Sequence, residues 1–201
     1  TASETSWYVV EGSVSIDGKV TVSGDVNLIL ADGSSLTAGY IVVDQGSSIT
    51  IYGQSEGTGS LVLEGGTSNA ALGGDFGKAS GEIAIHGGSI RAVSTSSGAG
   101  IGGGRDGAGT VSIYGGEVYA QSGSGAAIGG GHGANGDVTI YGGKITAFLD
   151  STDSGAAIGD GSGSAAGGGE VTIYGGTVVA ESYTSAAIGG AYLNDGPVTV
   201  A

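Results

Sequence analysis

In GDVTIYGGKITA, residues 136–147, apolar and polar positions alternate. Val138 and Ile140 share one face of an extended chain, Thr139 and Tyr141 share the other, and Ile145 and Ala147 resume the pattern after a Gly-Gly turn. This is the two-residue period of a half-buried strand. The same pattern returns in GEIAIHGGSIRA, GTVSIYGGEVYA and GEVTIYGGTVVA, which align without gaps and bring His86, Tyr114, Tyr141 and Tyr174 to one position of a repeat. The first two intervals are nearly equal and the third is longer. Between them recurs a shorter apolar marker, in AALGG, GAGIGGG, GAAIGGG, GAAIGDG and SAAIGG, carrying Leu72, Ile101, Ile128, Ile158 and Ile188. The marker predicts a third short strand, with Ile128 inward and Ala127 outward. No stretch combines helical periodicity with capping residues.

Three short strands and three turns in about 27–30 residues describe one coil of a solenoid whose strands pair with their counterparts one coil away. The predicted fold is therefore all-β, a right-handed single-stranded parallel β-helix. A β-propeller blade needs about 40 residues and four strands, and leucine-rich repeats need a leucine pattern absent here. Residues 1–65 are less regular but consist of the same alternating runs, with SSITIYG placing Tyr52 in the tyrosine position. The expected organisation is one domain over residues 1–201, with irregular coils and a cap in 1–65 and regular glycine-rich coils in 66–201. Trp7 and Tyr8 are expected to cover the N-terminal end of the core. The chain reads as a fragment of a larger protein with flanking domains.

Composition changes the picture in two ways. With 47 Gly among 201 residues the chain could pass for low-complexity sequence, but 39% hydrophobic residues are too many for a solvated tail, so the glycines must serve packed corners. Nineteen Asp and Glu against five Lys and Arg give a net charge of −14, which disfavours nucleic acid as a partner. Cysteine is absent, removing disulfides and thiolate chemistry, and no apolar run approaches the ~18 residues of a membrane helix.

VNLILADGSSLTAGYIVVDQGSSITIYGQSEGTGSLVLEGG, followed by AGIGGG…GTVSIYGGEVYA units, resembles the β-helical repeat regions of large secreted or cell-surface proteins of anaerobic, gut-type Firmicutes. It is similar to the carbohydrate-binding β-helix domains of cellulolytic clostridia. The resemblance covers most of the chain and implies a secreted or surface-anchored bacterial protein with a polysaccharide or surface glycan as partner. It transfers no individual site residue.

In a solenoid, equivalent positions line up along the axis, so the unit of function is a row. The outward tyrosine row offers Tyr114, Tyr141 and Tyr174 as platforms for sugar rings, or else as a ladder that stiffens the coils. The glycine loops after each Ile marker place Arg105, His132 and Asn135 as ligand-binding candidates, and Asp106, Asp137 and Asp160 as candidates for calcium, which takes six to eight oxygen ligands. A third row, Glu82, Thr110, Asp137 and Glu170, heads the tyrosine strands. Glu117 and Lys144 should form a surface ion pair worth about 0.5 kcal/mol, and Arg91 should lie over Tyr119.

GGGRDGAGT lacks the G-K-[ST] ending and the following helix of a nucleotide-binding loop. No Ser nucleophile elbow and no His pair at ligand spacing occurs, and the Thr rows are too uneven for an ice-binding face. The expected function is a non-catalytic glycan-binding or adhesive module that contacts polysaccharide along one face of the solenoid. The alternatives are a β-helix polysaccharide lyase or glycoside hydrolase, and a passive structural stalk.

Overall fold

The computed structural model describes residues 5–150, 155–165 and 168–201, and every helix or strand element in it is a β-strand. The first coil holds β1 (Thr5–Val10) and the long β2 (Ser13–Val22), the second β3 (Asp25–Leu30) and β4 (Ser35–Val43). From the third coil onward there are three strands each. They are β5 (Ser48–Gly53), β6 (Ser60–Gly66) and β7 (Leu72–Gly73), then β8 (Glu82–Ile85), β9 (Ser89–Ser94) and β10 (Ile101–Gly102). The fifth coil has β11 (Gly109–Ile113), β12 (Glu117–Ser122) and β13 (Ile128–Gly129), and the sixth β14 (Gly136–Ile140), β15 (Lys144–Leu149) and β16 (Ile158–Gly159). The seventh has β17 (Val171–Ile173), β18 (Thr177–Glu181) and β19 (Ile188–Gly189), and β20 (Val198–Val200) opens an eighth.

All pairing is parallel between successive coils, as the repeat predicts. Face 1 is an eight-stranded sheet in the order β1-β3-β5-β8-β11-β14-β17-β20. Face 2 runs through β6, β9, β12, β15 and β18, and face 3 through β7, β10, β13, β16 and β19. The two faces join in β4, where Ser35–Ala38 pairs with β6 while Ile41 and Val42 pair with β7. In the first two coils, then, one bent strand rounds a corner that later coils make with a loop. The bend falls at Gly39, where an added Cβ would meet the Gly18 carbonyl oxygen of β2, and the β2–β4 register shifts beside it, between Ile16 and Lys19.

The core is a set of columns. On face 1, Leu28, Ile51, Ile85, Ile113 and Ile140 are in register, and on face 2, Leu61, Ile90, Val118 and Ile145. Face 3 contributes Ile41, Leu72, Ile101, Ile128 and Ile158. All are buried, and each branched side chain sits on a near copy of itself at the ~4.8 Å strand spacing. Full burial of each stabilises by roughly 1.5–3 kcal/mol.

Ala127 is not outward. Ala126, Ala127 and Ile128 are all fully buried, as are Ala156, Ala157 and Ile158. The Ile-Gly pair is the tip of a tight bend rather than part of an alternating strand: the Ala126 N–H donates to the Gly130 carbonyl at 2.8 Å, and Ala99 to Gly103 at 2.9 Å. Both flanks of the bend therefore turn inside. The glycine at the tip is obligatory. Gly129 has φ of 133°, and a Cβ there would land on the carbonyl oxygen of Gly159 in the next coil; Gly73, Gly102 and Gly159 repeat the geometry.

Coil length varies without disturbing this frame. The face 1 equivalents Thr5, Asp25, Ser48, Glu82, Thr110 and Asp137 follow one another at unequal intervals along the chain yet stay in register. The two shortest coils lie within residues 1–65, the stretch the sequence marks as irregular. Trp7 does not cover the core. It lies on the outside of face 1 with its ring stacked on Tyr52. Tyr8 holds the inward column of Leu28 and Ile51 and, with Val14, Ile16 and Leu36, lines a cavity of about 520 Å³ at the N-terminal end.

Candidate functional site

Face 1 carries three outward features side by side. At its C-terminal edge, each just before a glycine turn, the rings of Tyr52, His86, Tyr114, Tyr141 and Tyr174 form one continuous stack, which Trp7 extends from a neighbouring column by leaning onto Tyr52. Centroid separations fall from 5.8 Å at Trp7 to 4.3 Å between His86 and Tyr114, then rise to 5.1 Å at Tyr174, and the last three pairs are within 9° of parallel. The strand spacing sets this distance. Rings on equivalent positions of parallel strands have nowhere to go but onto one another.

That geometry decides between the two readings of the tyrosine row. Ring faces of Tyr114 and Tyr141 are covered by their neighbours, so neither is a platform for a sugar face; what they present to solvent is ring edge and phenol hydroxyl. The middle of the face is a floor of short side chains, Thr50, Ala84, Ser112, Thr139 and Thr172, all in register. The far edge is the predicted third row. Glu82, Thr110 and Asp137 are in register, and the Glu170 N–H donates to Asp137 Oδ1 at 3.0 Å. Asp137 near the start of β14 and Tyr141 just past its end lie about 13 Å apart at strand rise.

The corner between faces 3 and 1 holds the remaining candidates. Asp106 adopts φ of 61°, in line with Gly77, Gly133 and Gly163 of neighbouring coils. The ladder continues through this turn: the Gly77 N–H donates to the Arg105 carbonyl, Asp106 to His132, and Gly133 to Ser162. Arg105 and His132 thus occupy one row. Arg105 pairs with the adjacent Asp106 at 3.5 Å. His132 is half-buried, and neither its Nδ1 nor the Oδ1 of Asn135 has a hydrogen-bond partner among the described residues.

Asp160 departs from its predicted role. It stands where other coils have Gly74, Gly103, Gly130 and Gly190, and it is fully buried. Its Oδ1 accepts the backbone N–H groups of Gly136 at 3.0 Å and Gly169 at 2.8 Å, while Oδ2 has no partner among the described residues. Burial holds its pKa above the ordinary carboxylate value, against the lowering pull of those two N–H groups. The coil it belongs to has the longest corner loop, of which residues 166–167 lie outside the described residues. Asp160 ties the base of that loop shut. Asp106, Asp137 and Asp160 are not gathered as a ligand set, and among the described residues no cluster of three or more His, Asp or Glu is placed to hold a metal ion.

The surface pairs fall where register puts them. Lys144 Nζ meets Glu117 Oε1 at 2.6 Å, and the Arg91 guanidinium lies 4.6 Å from the centre of the Tyr119 ring while Nε donates to Glu64. The Glu64 hydrogen bond, more than the ring, raises the Arg91 pKa. Lys19 reaches from the first coils to Asp75 at 2.7 Å, which raises the lysine and lowers the carboxyl from their ordinary values. Sequence reasoning missed Trp7 as a rung and missed Phe148 with Tyr183 on face 2. Extending the alternation of Ile145 and Ala147 to Leu149 would have turned Phe148 outward.

Residues 83–105, 111–132, 138–162 and 171–192 each match the family model described as the beta helix repeat. Each match starts on face 1 and ends in the corner loop after face 3, so one match spans the better part of one coil. The chain is a β-helical repeat protein. Comparison with curated proteins and with solved structures returns no match.

Proposed function

We propose that the protein is a non-catalytic glycan-binding module that lays a polysaccharide along face 1, parallel to the solenoid axis. The observation that carries this reading is the repetition of one chemistry over the coils of Tyr114, Tyr141 and Tyr174: a phenol edge, a short hydroxyl and an acid or Thr, with tyrosine rungs 4.6–5.1 Å apart. An extended β-linked glycan advances by a similar length per sugar, so successive sugars meet successive copies of the same row. Contact is through hydroxyl hydrogen bonds and ring edges. It is shallow and weak per rung, and gains from many rungs and from multiple copies. The charge of −14 favours neutral or amine-bearing glycans over anionic ones. A secreted or cell-surface bacterial setting, with flanking domains in a longer protein, belongs to the same proposal.

Binding of the chain to a glycan array, with and without calcium, tests it. Thr139→Arg fills the floor of face 1 without touching the core and should abolish binding to any glycan the native chain retains. A native chain that retains none sinks the proposal. The stalk reading then takes its place, favoured by ring faces spent on one another. In the enzyme alternative, where Asp137 would work with Asp160 or Asp106, enclosure of Asp160 at the base of a loop speaks against the first of these pairs.

A further inference from the structure

Sugars pack on aromatic rings through their C–H faces, and the stacked rings of face 1 turn those faces to one another. Face 2 supplies a pair that is not stacked face to face, a half-buried Phe148 beside an exposed Tyr183. Along β15 the inward residues are Ile145, Ala147 and Leu149, which turns Phe148 outward. In the parallel register Phe148 lies between Gln121 of β12 and Glu181 of β18. It meets Tyr183 edge-on, with centroids 6.1 Å apart and planes at 69°. A T-shaped pair, unlike a parallel stack, sets the partner's edge against at most one ring face, and Tyr183 stays 67% exposed. The two rings form walls of a notch of about 350 Å³ completed by Ala180, Glu181, Ser182 and Ala187.

The polar groups in and beside this notch are of two kinds, with Ser182 and Glu181 in its wall and Gln121 on the other side of Phe148. The Gln121 amide is held in place, accepting from the Tyr119 hydroxyl at 2.8 Å and donating to Asp150 at 3.0 Å. Ser182 Oγ is spent on the Gly155 carbonyl. The Glu181 carboxylate is exposed and has no hydrogen bond or ion pair among the described residues. An aromatic surface flanked in its own row by a fixed amide and an uncommitted acid is the combination of apolar wall and few oriented polar groups that small-ligand sites use.

We infer that this notch is a subsite for one pyranose ring of a neutral or amine-bearing glycan. Phe148 is the stacking surface, Tyr183 the side wall, and Glu181 accepts from a sugar hydroxyl or ammonium. Glu181 and Asp150 repel an anionic sugar. The inference rests on the glycan reading above but places ring stacking on a different wall of the solenoid from the row contacts of face 1.

Calorimetric titration of the whole chain with a cello-oligosaccharide, a chito-oligosaccharide, its deacetylated form and an oligogalacturonate tests it, using Phe148→Leu, Tyr183→Ala and Glu181→Gln beside Thr139→Arg. Tyr183 and Glu181 are exposed, so their replacement leaves the fold intact even where Phe148→Leu loosens it. The expected result is a loss of about tenfold or more in affinity for one of the first three sugars in each notch variant, and no binding of the oligogalacturonate. Native affinity in Tyr183→Ala and Glu181→Gln, with loss in Thr139→Arg, overturns the subsite and leaves the face 1 reading standing. Loss in the notch variants with Thr139→Arg unaffected does the reverse. No binding by the native chain ends both.

Discussion

Tyr114 and Tyr141 stack with ring centroids 4.6 Å apart and planes 4° apart, on positions a full coil distant in the chain. Each ring is also covered on its other side, by His86 and Tyr174 respectively. Tyr141→Ala removes two stacked contacts at once and should destabilise by about 1–3 kcal/mol, from roughly 0.5–1.5 per aromatic pair. Tyr141→Phe keeps the stack and should cost far less. Denaturant midpoints of the two variants, with near-ultraviolet circular dichroism to follow the coupled rings, check this.

The bend at Gly129 should tolerate nothing larger. Gly129→Ala forces a positive-φ backbone on an L side chain and drives its Cβ onto the Gly159 carbonyl oxygen. A loss of at least about 3 kcal/mol is expected. Gly133→Ala, also at positive φ but facing only the Asp106 side chain, should cost less. Equal midpoints for the two would contradict the collision.

Asp160 makes a prediction with a sign. Its folded-state pKa is raised by burial, so the protonated form favours the folded chain; its contribution is fully present below the unfolded value near 3.8 and is lost as pH rises through the folded value. Relative to Asp160→Asn, which does not titrate but can still accept from Gly136 and Gly169, the native chain should therefore gain stability as pH falls from neutral toward the ordinary carboxylate range. Asp160→Ala leaves two buried N–H groups unpaired and should be destabilised at every pH, by about 1–3 kcal/mol per group at most. Stability measured across pH for the three chains separates these effects.

Lys144 and Glu117 are both well exposed, at 66% and 61%. Their double-mutant coupling should be no more than about 0.5 kcal/mol and should vanish in high salt. A larger, salt-resistant coupling would contradict the exposed setting of the pair.

Much of this is legible in the sequence, because a solenoid writes its neighbours into its period. Aligning four copies is enough to put Glu117 beside Lys144, Arg91 beside Tyr119 and the tyrosines in one stack. The misreadings share a cause: local pattern is applied where the coil frame rules. Strand alternation sends Ala127 outward, but a two-residue strand at a bend does not alternate. Composition groups Asp160 with the exposed acids, although alignment sets it in a column of glycines, where any side chain must be enclosed. Nearness to the N-terminus suggests the open end for Trp7. Its outward position, two residues from Val9 in the column of Tyr52, sends its ring to the ladder instead.

Val138 pairs with Val171 across a longer stretch of chain than Val171 with Val198, yet both pairs are followed by a Thr–Thr rung and a branched apolar rung. Pairing thus ignores how much chain lies in the corners. For heredity, this splits the molecule into two alphabets. Corner residues can be lengthened, shortened or rewritten one coil at a time, while a duplicated coil arrives with every column already matched to its neighbours. Such a protein can lengthen its reach and vary its surface by separate mutational events, neither of which has to wait for the other.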